Sequence, residues 1–252
     1  MPIAFFRIEG GYGIQPRWSD KVRKGKMRAF VSRVVEPEEF LKMDDVALNE
    51  LINTELFVDE TTLGGQFTCE NPAEYLERVL YVCPHCGLTS FYSEKHKVTC
   101  LKCKKSATYN SDKTFTGDFG FKYVKEWYDY QQSFVRSLNL DKYLDKPAFT
   151  DKARLFSVIL YKKKRKLFES ANLSLFGDRI SVVSDTGENL NLPFSAMTGV
   201  SVLGRNKLNV YIDGKVYQFK GDKRFNAVKY VNFYYVYKFN KENFGDGQFL
   251  GL

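Results

Sequence analysis

The sequence predicts an α+β, multi-domain protein, and three observations indicate this class. Short apolar segments separated by turn residues fill residues 148–240. Two Cys-x2-Cys pairs lie between residues 83 and 103, and several segments repeat apolar residues at helical spacing. The chain has 252 residues, of which 44% are hydrophobic and 27% charged, so disorder is excluded as its dominant state. This length is large for one core, so we expect several folded units.

Residues 1–66 predict two strands and a helix. Residues 3–8 are a compact apolar segment closed by glycines, which predicts a buried strand, and residues 26–35 alternate apolar and basic side chains as a second strand does. Pro37 and nearby acids favour a helix start, and an apolar stripe at helical spacing follows as far as Leu56. Three such elements cannot bury a full core by themselves, so this region resembles part of a larger domain.

The pattern of residues 67–112 predicts a zinc ribbon. Residues 73–80, before the first cysteine of this region, predict a short helix. The pattern Cys-x2-Cys-x13-Cys-x2-Cys aims four thiolates at one point, and its members are Cys83, Cys86, Cys100 and Cys103. Four protein ligands fill a tetrahedral zinc ion, so we expect a structural metal that does not activate water. Contact with nucleic acid and a redox role are the alternatives. His85, His96 and Cys69 are interpreted as residues outside the ligand set.

Residues 113–147 predict a connecting amphipathic helix, because apolar residues recur at helical spacing over residues 121–138. Seven short strands follow within residues 148–240, and Asp213-Gly214 between two of them is a strong hairpin signal. The period then becomes helical over residues 225–237. Seven antiparallel strands closed by one C-terminal helix are the plan of a pleckstrin-homology-like (PH-like) β-barrel. Residues 241–252 are predicted to be a flexible tail.

The net charge of +8 is unevenly distributed. Residues 17–33 carry seven basic side chains and one acidic one, whereas residues 34–60 carry one lysine and nine acids. Such patches favour a polyanionic partner, although solvated loops are the simpler interpretation. The basic side chains proposed for an anionic surface are Arg17, Lys21, Arg23, Lys24, Lys26, Arg28, Lys162, Lys163, Lys164, Arg165 and Lys166.

No apolar run is long enough to cross a bilayer, and the N-terminus lacks the pattern of a signal peptide. Paired cysteines with metal-ligand spacing are typical of a reducing compartment. We therefore expect a cytoplasmic protein that associates peripherally with the inner face of the plasma membrane.

The N-terminal residues resemble a known enzyme family. The strings PIAFFRIEGGYG (residues 2–13), QPRWSD (15–20) and RKGK (23–26) resemble the last part of the 1-acyl-sn-glycerol-3-phosphate acyltransferase domain of phospholipid synthesis. The similarity is to a bacterial form in which a CPxCG zinc ribbon and a β-rich tail follow, and EYLER (74–78) and GDKRFN (221–226) extend it. The resemblance implies that residues 1–66 are the C-terminal remnant of an α/β acyltransferase domain.

One departure from the family decides the expected activity. The family's general base is a histidine in a His-x4-Asp motif, but the corresponding positions after His85 and His96 are Ser90 and Leu101. We therefore expect no catalytic residues here and no acyl transfer by this chain alone, and we expect an accessory role beside an upstream acyltransferase half. The alternative is a stand-alone zinc-ribbon adaptor that binds protein, anionic lipid or nucleic acid, with nucleic acid the less favoured partner.

Overall fold

The computed structural model describes residues 1–160 and 163–243. The two predicted strands form as β1 (Ile3–Glu9) and β2 (Arg28–Val35), and they pair antiparallel with each other. Three helices belong to the same region: α1 (Gly11–Ile14), α2 (Pro37–Phe40) and α3 (Asp45–Leu56). The Asp44 carboxylate accepts a hydrogen bond from the Ala47 amide (2.8 Å) and so caps α3.

The prediction of a buried first strand is wrong. Phe5 is the one buried residue of β1, and α3 has no buried residue at all. The sheet contains only two strands, and α3 covers a single face of it: Arg7 Nε of β1 donates to the Glu55 carbonyl of α3 (3.0 Å). The other face stays in contact with solvent.

The cysteine region folds into two small sheets. The predicted helix at residues 73–80 is only a 3₁₀ turn, Leu76–Arg78, because Tyr75 before it has a left-handed backbone (φ 74°) that interrupts an α-helix. The first sheet pairs β3 (Val82–Cys83) with β4 (Gly87–Leu88). The second contains β5 (Phe91–Glu94), β6 (Lys97–Cys100), β7 (Ser106–Tyr109) and β8 (Phe115–Gly117) in chain order.

The predicted connecting helix is α4 (Val124–Arg136), which is shorter than residues 113–147 because β8 precedes it and a 3₁₀ turn, Leu140–Tyr143, follows it. Its Trp127 ring is fully buried and its indole Nε1 donates to the Val82 carbonyl (2.9 Å). Four phenylalanine rings surround that indole at centroid distances of 4.6 to 5.5 Å: Phe91, Phe115, Phe119 and Phe121. The helix is therefore part of the ribbon's core and not merely a connection.

The seven predicted strands of residues 148–240 are confirmed as one antiparallel sheet. They are β9 (Phe149–Leu160), β10 (Lys163–Leu175), β11 (Arg179–Ser184), β12 (Asn189–Pro193), β13 (Met197–Leu203), β14 (Lys207–Ile212) and β15 (Lys215–Gly221). Their order across the sheet is β12-β11-β10-β9-β15-β14-β13. Asp213 and Gly214 both have positive φ (50° and 67°), as the predicted two-residue hairpin turn between β14 and β15 requires.

The C-terminal helix α5 (Val228–Glu242) lies inside the curve of this sheet. The Tyr230 hydroxyl donates to the Leu173 carbonyl of β10 (3.0 Å), and the Tyr234 hydroxyl, one turn later, donates to the Met197 carbonyl of β13 (3.3 Å). Four strand spacings separate β10 from β13 along the sheet, about 19 Å if it were flat, so one helix can touch both only because the sheet curls around it. The two edge strands are not paired with each other in the described residues, so the sheet is curled but open.

One continuous apolar core runs from the ribbon through α4 into the curled sheet. Asn232 of α5 connects the parts directly, since its amide donates to the Tyr81 hydroxyl (2.7 Å) and its carbonyl oxygen accepts from the Tyr128 hydroxyl (3.4 Å). Within the described residues, no helix combines the length and apolarity needed to span a bilayer.

The buried amide of Gln131 predicts a large stability effect. Its Oε1 accepts from the amides of Tyr81 (2.7 Å) and Val82 (3.2 Å), and its Nε2 donates to the Val79 carbonyl (2.9 Å). Gln131→Leu leaves three buried backbone groups unpaired, so we expect the free energy of unfolding to fall by about 3 kcal/mol. Lys125→Ala on the exposed side of the same helix is the control, with an expected loss below about 0.5 kcal/mol. Urea denaturation measures both, and equal losses would contradict this role.

Candidate metal centre and basic surfaces

The structure brings the four predicted cysteines together. The sulfur atoms of Cys83, Cys86, Cys100 and Cys103 all lie within 4.8 Å of one another. Cys83 ends β3 and Cys86 precedes β4, whereas Cys100 ends β6 and Cys103 lies in the turn after it. Two separate turns of the ribbon therefore supply two thiols each.

Each cysteine pair is followed by a residue with a left-handed backbone, which makes the turn tight enough to aim both thiols inward. These residues are Gly87 (φ 72°) and Lys104 (φ 65°). In the second turn the Lys104 amide donates to the Cys100 carbonyl (3.0 Å), and in the first the Cys86 amide donates to the Cys83 carbonyl (3.2 Å). The two turns therefore share the left-handed residue after the second cysteine but differ in their hydrogen bonds, which span three residues in the first turn and four in the second.

The spacing of the sulfurs fits a tetrahedral metal ion. Cys83 Sγ and Cys103 Sγ are 3.8 Å apart. A tetrahedral ion with metal–sulfur bonds of about 2.3 Å has ligands about 3.8 Å from each other, whereas a disulfide bond is only about 2.05 Å long. All five cysteines of the chain are free thiols. The cluster is therefore able to hold one metal ion, and its four ligands leave no coordination position for water.

The surroundings of the thiols are not equivalent. Burial raises the pKa of Cys83 to about 12. Burial also opposes ionisation of Cys100, but hydrogen bonds from the backbone amides of Cys103 and Lys102 outweigh it and lower the pKa to about 7. The Thr89 hydroxyl lies 3.8 Å from Cys100 Sγ and adds to this effect. Sequence reasoning missed Thr89, because a hydroxyl eleven residues before a cysteine carries no recognisable signal.

In the described residues, neither histidine belongs to the ligand cluster, which agrees with the sequence prediction. His85 is exposed, and its Nε2 lies 3.0 Å from the Asp118 carbonyl oxygen and 3.4 Å from Lys105 Nζ, both outside the cluster. His96 is exposed, and Cys69 is half-buried and outside the cluster.

The second basic region lies at the end of the β9–β10 hairpin. Lys163, Lys164, Arg165 and Lys166 are all exposed, whereas Lys162 lies outside the described residues. Lys164 Nζ donates to Gln218 Oε1 (3.1 Å), and Lys166 pairs with the Glu169 carboxylate. The hairpin end therefore carries a cluster of cations in contact with solvent.

The first basic region divides into exposed and buried residues. Arg17, Lys21, Lys24, Lys26 and Arg28 are exposed. Arg23, which the sequence placed among them, is only 2% exposed, so it is not part of an anion-binding surface.

A polar and aromatic environment explains the burial of Arg23. Its guanidinium carbon lies 5.0 Å from the centre of the Tyr109 ring and 5.6 Å from that of Trp18, and its Nη2 donates to the Pro72 carbonyl (2.7 Å). These contacts replace part of the hydration that the guanidinium loses on burial, while its Nε has no hydrogen-bond partner among the described residues. Arg23 therefore joins the N-terminal region to the ribbon.

Comparisons with known proteins found similarity to solved structures alone. No family model and no curated protein matches the chain. The chain is similar to the solution structure of the N-terminal PH domain of human ARAP2, with 18% sequence identity and a TM-score of 0.32 over 40% of this chain and 90% of that chain. The chain is an α+β protein with a four-cysteine metal-ligand cluster and a curled, helix-filled sheet.

The four-cysteine cluster predicts the metal content of the protein. We expect one tightly bound metal ion per chain, and Cys83→Ser or Cys100→Ser should remove it, because three thiolates hold the ion far less tightly than four. Cys69→Ser is the matched control and should keep full stoichiometry, since Cys69 lies outside the cluster. Elemental analysis of dialysed protein measures the ion. A full complement in the Cys100→Ser variant would show that the four thiols do not form one site.

Proposed function

We propose that this chain is the accessory, non-catalytic part of a phospholipid-synthesis acyltransferase, held on an anionic membrane surface at the cytoplasmic side and stabilised by a structural zinc ion. Zinc is proposed because four thiolates in a tetrahedral arrangement are a ligand set it commonly takes in structural sites. The observation that carries the proposal is an exposed apolar face on the two-stranded sheet β1–β2, in the region that resembles the acyltransferase domain.

The β1–β2 face, as we call it, consists of cross-strand partners that point to the same side. They are Ala4 with Val34, Phe6 with Val31, and Ile8 with Ala29. All six side chains are exposed, and the four larger ones are 50 to 56% accessible. A contiguous face of this kind is typical of a surface that another protein segment covers.

The sheet geometry also favours a protein partner. A two-stranded sheet is marginal by itself, and both outer edges of β1–β2 are unpaired in the described residues. Further strands at an edge and a helix on the open face would complete an α/β layer, which is what an upstream acyltransferase half would supply. A different protein covering the same face would support the adaptor alternative.

The cysteines and histidines of this chain support an accessory, non-catalytic role. The cysteine cluster has no open ligand position, and neither histidine is followed by the aspartate of a His-x4-Asp pair. We therefore expect acyl transfer from an acyl-CoA to lysophosphatidate to stay at background with this chain alone. Turnover above background by the pure protein, measured by product formation, would contradict the non-catalytic assignment.

The partner prediction concerns the β1–β2 face. If DNA upstream of the Met1 codon encodes an in-frame His-x4-Asp block, the upstream segment should bind this chain when the two are co-expressed. The resulting complex should transfer acyl groups. The double variant Phe6→Asp, Val31→Asp should then lose at least 90% of co-purification, because it places two charges in the interface. Leu41→Asp with Val46→Asp is the control, since both side chains are more exposed than Phe6 and Val31 but lie outside the face. Unchanged co-purification of the face variant would contradict the proposal.

The β9–β10 hairpin supports the membrane part of the proposal. β15 pairs with β9 only as far as Val158, and β11 pairs with β10 only from Ala171, so the hairpin end projects beyond its neighbouring strands. Two exposed apolar side chains, Ile159 and Leu167, flank the four cations there. A projecting end with both chemistries suits the interface of an anionic bilayer, where each lysine or arginine contributes about 1 kcal/mol before screening.

Sedimentation with vesicles tests this surface. The chain should pellet with phosphatidylserine vesicles at low salt and be released at higher ionic strength, since salt shortens the screening length. Lys163→Gln, Arg165→Gln and Lys166→Gln together should weaken binding by about tenfold or more. The matched control is Lys125→Gln, Lys142→Gln and Lys146→Gln, which removes the same charge from other exposed positions. Equal pelleting of both triple variants would show that the hairpin does not contact the bilayer.

A further inference from the structure

A cleft of about 650 Å³ lies where the three parts of the chain meet. The N-terminal region contributes Arg17 and Asp20, the ribbon contributes Arg78, and the curled sheet with its helix contributes Arg205, Lys223 and Val228. Four of these side chains are cations and one is an anion. Two further valines, Val79 and Val202, make part of the wall apolar. The volume is within the range of small-molecule sites.

Arg78 is the fixed element of this cleft. It is only 3% exposed, and its guanidinium donates to the Trp18 carbonyl (2.6 Å), the Lys223 carbonyl (2.6 Å) and Asp20 Oδ1 (2.8 Å). The hydrogen bond from Arg78 lowers the pKa of Asp20, so the carboxylate is ionised and neutralises Arg78. The charges of Arg78 and Asp20 therefore compensate each other in the wall of the cleft.

Arg205 and Lys223 are exposed at the opening, and Arg17 lines the same cleft. Arg205 Nη1 lies 3.4 Å from Asp20 Oδ1, so this carboxylate contacts both Arg78 and Arg205. The first turn of α5, at Ala227 and Val228, lines the same cleft, so the positive end of a 15-residue helix adds to the potential. The cleft therefore has an excess of positive charge from separate parts of the chain.

We infer that this cleft binds a phosphate monoester on a small molecule or a lipid headgroup. A phosphate monoester carries a charge of about −1.5 to −2 at neutral pH, which the cations at the opening balance. Arginine forms paired hydrogen bonds with phosphate oxygens, and Arg205 and Lys223 line the cleft beside the first turn of α5. The apolar wall lowers the local dielectric constant and strengthens these contacts.

Calorimetric titration with inorganic phosphate and pyrophosphate tests the cleft directly. We expect saturable binding to the wild-type chain and at least tenfold weaker binding to the double variant Arg205→Gln, Lys223→Gln. Asp20→Asn should bind phosphate more tightly, because it removes the competing carboxylate and keeps an oxygen for Arg78. Lys142→Gln with Lys146→Gln is the control and should bind as the wild type does. Thermal melting of each variant verifies that it is folded.

Vesicles distinguish a lipid-borne phosphate from a free one. The site binds a lipid headgroup if the chain binds phosphatidate vesicles more strongly than phosphatidylserine vesicles and the Arg205→Gln, Lys223→Gln variant loses this difference. This assignment holds even if free phosphate binds weakly. The hairpin triple variant should still bind phosphatidate vesicles more strongly than phosphatidylserine vesicles. The experiment therefore tests the cleft and the hairpin surface separately. Absence of binding to phosphate, pyrophosphate and phosphatidate, or equal binding by the double variant of the cleft, would overturn the inference.

Discussion

Helix α4 joins the ribbon to the curled sheet, because its buried side chains contact both: Trp127 donates to the Val82 carbonyl and Tyr128 to Asn232 of α5. Trp127 fills the core of the ribbon from one side of this helix, and Gln131 pairs with the backbone of residues 79–82. That backbone in turn places Tyr81 against Phe149 of β9 and within hydrogen-bond distance of Asn232. A buried amide with all its partners satisfied specifies this arrangement more strictly than apolar packing alone.

The four-cysteine cluster can stabilise the ribbon in a second way. The ribbon strands are two to four residues long and cannot hold two knuckles in place by their own hydrogen bonds. A structural metal contributes on the order of 10 kcal/mol to folding in such segments. The cluster and the packing of Trp127 both lie beside β3, since Cys83 ends this strand and the Val82 carbonyl accepts the hydrogen bond of the Trp127 indole. Neither requires a catalytic role for the cysteines.

The basic residues of the chain fall into two physical classes. Arg23 and Arg78 are buried, and each contacts a backbone carbonyl and an aromatic ring from a distant part of the sequence. Each therefore joins regions of the chain that are far apart in sequence. The cations at the hairpin end and at the opening of the cleft are exposed and can meet an anion from solution. Net charge alone does not separate these classes, because burial decides which charges a partner can reach.

Much of the architecture follows from the sequence alone. The cysteine spacing, the Asp213-Gly214 turn, the seven strands and the two long helices α4 and α5 were all predictable, because turn chemistry and periodicity are properties of neighbouring residues. Only the tertiary structure revealed the burial of Arg23, the open β1–β2 face and the cleft around Arg78. Arg23 meets Tyr109 across 86 positions and Arg78 meets Lys223 across 145. Contacts at such separations depend on how whole elements pack, and no local pattern encodes them.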